Sequence, residues 1–123
     1  MKISEIAFSC YPVTDVARAR AFYEGVLGLK ATMDHATPQG HWVEYDIGAG
    51  TLSIGSAPGW LPSKDGCNVA LEVDDFDAAL AEVRAAGVPV TFGPLETPVC
   101  HMVFISDPDG NSLCLHKRKP GHG

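Results

Sequence analysis

Glu72, Cys114 and His116 are the side chains whose type and spacing best suit them to chemistry. Cys114 and His116 alternate with leucines in Ser112-Leu113-Cys114-Leu115-His116, and Glu72 ends a similar alternation that begins at Asn68. Alternate residues of a strand share a face, so each run turns its polar members one way. A carboxylate and an imidazole reaching one substrate can act as base and acid. A thiol adds a nucleophile once it loses its proton. These three are the catalytic candidates, set against the plainer reading of polar residues on a solvated face.

Other reactive patterns have no footing. No Gly-x-Ser-x-Gly elbow occurs, and Gly48-Ala49-Gly50 reads as a hairpin turn because no helix follows it to cradle a phosphate. Cys10, Cys67, Cys100 and Cys114 are widely spaced, with no Cys-x-x-Cys pair. The opening Met1-Lys2-Ile3-Ser4-Glu5 shows no apolar stretch before a cleavage site. The expectation is a cytoplasmic protein whose thiols are reduced and buried.

The elements that must position these groups follow from the apolar pattern. The chain has 123 residues, 46% of them apolar, enough for one domain with a core. Its apolar runs are only strand-length, so no membrane partner is expected. The net charge of −6 speaks against nucleic acid, and Lys117-Arg118-Lys119 reads as the start of a solvated end.

Ile3 to Cys10 alternates as a first strand, with Ile6, Phe8 and Cys10 on one face. Asp15 is a suitable cap for a helix over Val16 to Leu27, with Ala19, Phe22, Tyr23 and Val26 as its apolar stripe and Gly28 as its stop. A link, Asp34 to Gly40, leads to strands over His41–Ile47 and Thr51–Gly55, and Ser56 to Gly66 is a Pro- and Gly-containing connector. The pattern then restarts. Asn68–Val73 reads as a strand, and Asp74 or Asp75 caps a helix over Phe76 to Ala86 that Gly87 ends. Val88 to Thr91, a Pro-rich link, a strand over His101–Ser106, the turn Asp107-Pro108-Asp109-Gly110-Asn111 and a last strand complete it. The separation Asp15 to Gly28 equals that of Asp74 to Gly87, so the chain reads as two copies of a strand–helix–strand–strand–strand unit. Module one is about 1–57, module two about 67–117, and 118–123 is a tail. The two are expected to pair as a single domain.

This order of elements resembles the vicinal oxygen chelate superfamily of glyoxalases, bleomycin-resistance proteins and extradiol dioxygenases. The resemblance rests on Val13-Thr14-Asp15, Ala21-Phe22-Tyr23-Glu24, Val26-Leu27-Gly28-Leu29, Asn68 to Asp74, and Phe104 to Asn111, found in family order over nearly the whole chain. It implies an α+β fold in which two βαβββ modules form a curved mixed sheet around a cup, and a homodimer.

The metal enzymes of that superfamily carry one His or Glu ligand on each of four strands. By the surrounding motifs those places fall on Phe8, Ser53, Asn68 and Cys114. None is a His or a carboxylate, so no metal or other cofactor is expected. A relocated site from Cys114, His116, Glu72 and Asp46 is the alternative. The expected cup is lined by Phe8, Cys10, Trp42, Ser53, Asn68, Glu72, Met102, Cys114 and His116, with Trp60 as a lid or a dimer contact. Such a lining suits a small organic ligand, and Glu44, Asp46 and Glu72 favour one that is cationic or donates hydrogen bonds. His41 and His101 read as strand-end residues, His35 and His122 as solvated. The resemblance thus implies a metal-free binding protein that sequesters or senses a small molecule. The alternative is a glyoxalase- or dioxygenase-like enzyme with a rearranged or metal-free site; functional metal-dependent lactoylglutathione lyase chemistry is not expected.

Overall fold

Two aspartates start the two helices in the same way. The Asp15 carboxylate accepts from the Arg18 amide at 3.1 Å, and the Asp75 carboxylate from the Ala78 amide at 3.0 Å. Each satisfies an amide that the first helical turn leaves unpaired. In this computed structural model, which describes residues 1–121, the chain falls into two units, Met1–Pro62 and a second from Ser63 onward. His122 lies outside the described residues.

The first unit runs β1 (Ser9–Pro12), α1 (Val16–Arg20), β2 (Met33–Thr37), β3 (Gly40–Ile47) and β4 (Gly50–Ser56). The second runs β5 (Val69–Glu72), α2 (Phe76–Ala85), β6 (Val90–Glu96), β7 (Cys100–Ser106) and β8 (Ser112–Arg118). Each makes its own four-stranded mixed sheet, in the orders β1-β4-β3-β2 and β5-β8-β7-β6. In both, the strand before the helix pairs parallel with the last strand of the unit, and the rest is an antiparallel meander. The repeat read from the sequence is therefore a repeat of topology.

Alternation sorts each sheet into a helix face and an open-side face. In the first unit Tyr11, Val43, Tyr45, Leu52 and Ile54 are buried, as are Ala19, Phe22 and Tyr23 of the helix. The Tyr23 ring stacks between Tyr11 and Tyr45, with centroids 6.5 and 6.1 Å away. In the second, Leu80 and Val83 of α2 and Val103, Ile105, Leu113 and Leu115 of the strands are buried. The turn between β7 and β8 is held by Asp107. Its carboxylate accepts from the amides of Asp109 and Asn111 at 2.9 and 2.8 Å and from the Asn111 side chain at 2.8 Å, while Gly110 takes φ +84°.

Several expectations need correction. The first strand is Ser9–Pro12 and not Ile3–Cys10, since only those residues pair with β4, and Ile3, Ile6 and Phe8 are exposed. The helix from Val16 is α-helical only to Arg20; Ala21–Val26 is π-helical, and the adjacent Phe22 and Tyr23 within it are both buried. The link after Asp34 is largely strand β2, exposed along its length, and His35 lies in it opposite Trp42. The Pro-rich link of the second unit is likewise strand β6, with register shifts around Phe92. The basic end is not free: β8 runs through Arg118, and Lys119 donates its amide to Val99 and its ammonium to Glu96. All four cysteines are free thiols, but Cys67 is exposed.

Candidate functional site

The expected lining residues divide between the two open-side faces. In the first unit Cys10, Ser53 and Glu44 form one row across β1, β4 and β3, each opposite the next. Ser53 is wholly buried, and its hydroxyl donates to the Ser9 carbonyl at 3.3 Å. Burial pushes the Cys10 thiol up to about 11, with the nearby Glu44 charge adding to it and the Ser53 hydrogen bond opposing it. At neutral pH Cys10 is thus a small polar wall and not a nucleophile.

Trp42 shares this face. Its indole N–H donates to the Glu44 carboxylate at 2.7 Å, and the Phe8 ring meets it edge-on at 5.3 Å. Gly55, opposite Trp42, makes room for a second indole: a Cβ there would lie 2.8 Å from Trp60 and 3.1 Å from Trp42. Gly55 was not singled out from the sequence, although a strand glycine facing a tryptophan is a readable signal of close approach. Asp46 accepts from Thr51 at 2.9 Å.

In the second unit Glu72, His116 and Met102 form one row across β5, β8 and β7, and Ala70, Cys114 and Phe104 form the next. The sequence pairing of Glu72 with His116 becomes a contact, with Oε1 and Nδ1 2.6 Å apart. Glu72 also accepts from the Arg118 amide at 2.8 Å, and the Arg118 guanidinium lies 3.8 Å away. Partial burial works against its ionised form, but the Arg118 amide and the His116 ring together hold the carboxyl below its ordinary range. Cys114 is buried, and that burial raises its thiol; its S–H points to the Leu115 carbonyl. Asn68 is exposed and donates to Ser112 at 3.0 Å. The His101 ring lies against Phe76, tilted by 32° with centroids 5.6 Å apart, at the helix side of the sheet.

Opposite the face of the first unit, a charged chain ties the helix to the sheet. Arg20 bonds Glu24 at 2.5 Å and Asp34 at 2.6 Å. Glu24 also accepts from Tyr45, and Asp34 from His41 at 2.5 Å. Sequence reading missed it because its members are spread from the first helix to the third strand.

The sequence profile described as the Glyoxalase/Bleomycin resistance protein/Dioxygenase superfamily matches residues 2–115. The chain belongs to this superfamily. Among relatives of the superfamily, the lactoylglutathione lyase of Haemophilus influenzae is 28% identical over 120 residues, covering 89% of each chain. An antibiotic-binding protein of Streptomyces sp. CB03234, TnmS3, is 29% identical with a TM-score of 0.81, over 97% of this chain and 99% of that one. A glyoxalase/bleomycin resistance protein from the same Streptomyces is also 29% identical, with a TM-score of 0.74, over 90% and 98%.

The metal enzymes of the superfamily set the remaining question, namely whether a divalent ion fits. Phe8 has no lone pair, Asn68 offers a neutral amide, and Ser53 and Cys114 are buried with their protons directed at backbone carbonyls. These four side chains do not fit such an ion, which needs carboxylates or imidazoles. Among the described residues no three His, Cys, Asp or Glu side chains gather into a metal-holding cluster.

Proposed function

We propose that this superfamily member binds a small organic molecule without a metal ion, as a sequestering or sensing protein. The observation that carries the reading is the chemistry at Phe8, Ser53, Asn68 and Cys114, where no side chain is a ligand for a hard divalent ion. The Streptomyces antibiotic-binding protein, similar over nearly its whole length, supports the same reading. The proposed lining is Phe8, Cys10, Trp42 and Ser53 on the first unit's face, and Asn68, Glu72, Met102, Cys114 and His116 on the second's. Carboxylates at Glu44 and Glu72 favour a ligand that is cationic or donates hydrogen bonds. A homodimer in the cytoplasm is part of this proposal.

A panel of planar and cationic compounds tests it by thermal shift, with elemental analysis of protein purified without chelator. Saturable stabilisation by one compound, without turnover and with less than stoichiometric metal, is expected. A full equivalent of nickel, zinc or iron would sink the metal-free reading.

A second reading has its own observation, the 2.6 Å contact between Glu72 and His116. A carboxylate fixing an imidazole is an acid–base arrangement, and it would serve a metal-free isomerase or lyase. Turnover lost in both Glu72→Gln and His116→Gln, with binding retained, would favour this reading over simple sequestration.

A further inference from the structure

Three aromatic side chains meet on the open-side face of the first unit. Phe8 and Trp42 stand at right angles, with ring planes 88° apart and centroids 5.3 Å apart. Trp60 reaches the same face from the connector after β4. The position that a Gly55 Cβ would take lies 2.8 Å from Cζ3 of Trp60 and 3.1 Å from Cε3 of Trp42, so the two indoles converge over this glycine. The rings are not sealed in a core: Phe8 is 51% exposed and Trp60 38%.

A carboxylate stands beside them. Glu44 follows Trp42 by two residues on β3, on the same face, and accepts from its indole N–H at 2.7 Å. That bond ties the edge of the indole to the carboxylate and leaves the carboxylate further lone pairs. Asp46, two residues on, adds a second acid to this face. Strands β1–β4 contain no Lys or Arg. Of the described strand residues on this face only His35, opposite Trp42, can carry a positive charge.

Rings and carboxylate select together. The face of an aromatic ring attracts a cation through its quadrupole, and rings at right angles can meet one cation from two sides. The Glu44 carboxylate adds Coulomb attraction and repels an anion. A primary ammonium carries three N–H donors, each of which needs an acceptor once its water is lost, and ring faces are poor acceptors. A quaternary ammonium has no N–H to satisfy and presents its charge through methyl groups that pack on the rings.

We propose that Phe8, Trp42, Trp60 and Glu44 form a binding site for a quaternary ammonium group, the charged end of the small organic ligand. The inference rests on the metal-free binding reading above and gives the class of that ligand. The test titrates the native protein, by calorimetry at constant ionic strength, with choline chloride and with 3,3-dimethylbutan-1-ol, in which carbon replaces the nitrogen. Saturable choline binding, roughly tenfold or more tighter than that of the neutral isostere, is expected. Glu44→Gln keeps an acceptor for the Trp42 indole and should weaken choline about threefold to tenfold, with the isostere unaffected. Trp60→Leu keeps apolar surface without an aromatic face and should remove most of the choline preference, whereas Trp60→Phe should keep most of it.

The absence of saturable choline binding would overturn the proposal. So would equal affinity for the isostere, or a choline preference undiminished in either Glu44→Gln or Trp60→Leu. Saturable stabilisation by another compound of the panel, with choline not binding, would overturn the quaternary ammonium assignment alone and leave the binding reading standing. Failure of every compound, choline included, would remove both.

Discussion

Glu72 Oε1 and His116 Nδ1 lie 2.6 Å apart on neighbouring parallel strands, at the same rung of the second sheet. The contact makes pH a probe of the fold. Glu72 has its carboxyl lowered in the folded state from an ordinary value of 4.5. Such a group stabilises the fold above the unfolded value, and its contribution is lost as pH falls through the folded one. The side chain is 35% exposed, so screening limits the effect to about 0.5–1 kcal/mol. Urea unfolding of Glu72→Gln should show this deficit at pH 7 and none once the native carboxyl is protonated. A deficit unchanged at acid pH would contradict the ionic account.

Thiol reactivity should follow burial. Alkylation with iodoacetamide at pH 8, mapped by mass spectrometry, should label the exposed Cys67 first. Cys10, whose thiol is pushed up to about 11, and the buried Cys100 and Cys114 should lag far behind in the native state. Equal labelling of Cys10 and Cys67 would contradict the environment described for the first unit's face.

Gly55→Ala should unseat Trp60. The added methyl would lie 2.8 Å from one indole and 3.1 Å from the other, and the partly exposed Trp60 is the freer of the two. We expect a red-shifted tryptophan emission and a loss of about 1–2 kcal/mol, the usual scale of overpacking. Unchanged emission would mean that the two rings do not share this space.

Asp107→Ala should cost more than Asp15→Ala. The first removes a buried carboxylate that accepts from the amides of Asp109 and Asn111 and from the Asn111 side chain, a loss of about 3 kcal/mol. The second removes one exposed helix cap, worth about 1 kcal/mol. Denaturant midpoints of the two variants check the order.

Much of the fold was legible in contiguous residues. A cap at Asp15 and another at Asp74 or Asp75, the turn from Asp107 to Asn111 and the alternating runs of β3, β4, β7 and β8 are local signals, and the structure puts the second cap on Asp75. Each acts through backbone angles and side-chain period over a few neighbours. Their recurrence in the same order announced two copies of one unit. The residue types at Phe8, Ser53, Asn68 and Cys114 were equally legible, and they carry the metal-free proposal.

Pairing was decided only in three dimensions. Asp34 to Thr37 has no apolar alternation, and it is a strand because β3 supplies its hydrogen bonds. Phe92 to Glu96 is a strand because β7 does the same, and Ile3 to Phe8 is not one despite its alternation, because no neighbour pairs with it. The side-chain partnerships are also tertiary, because strand register sets them: Glu72 with His116, Trp42 with Glu44, and Trp60 with Trp42 over Gly55. The sequence by itself determined which groups this protein has for chemistry. The fold decided that Glu72 meets an imidazole, that Cys114 is buried beside it, and that His41 meets Asp34 across the β2–β3 hairpin.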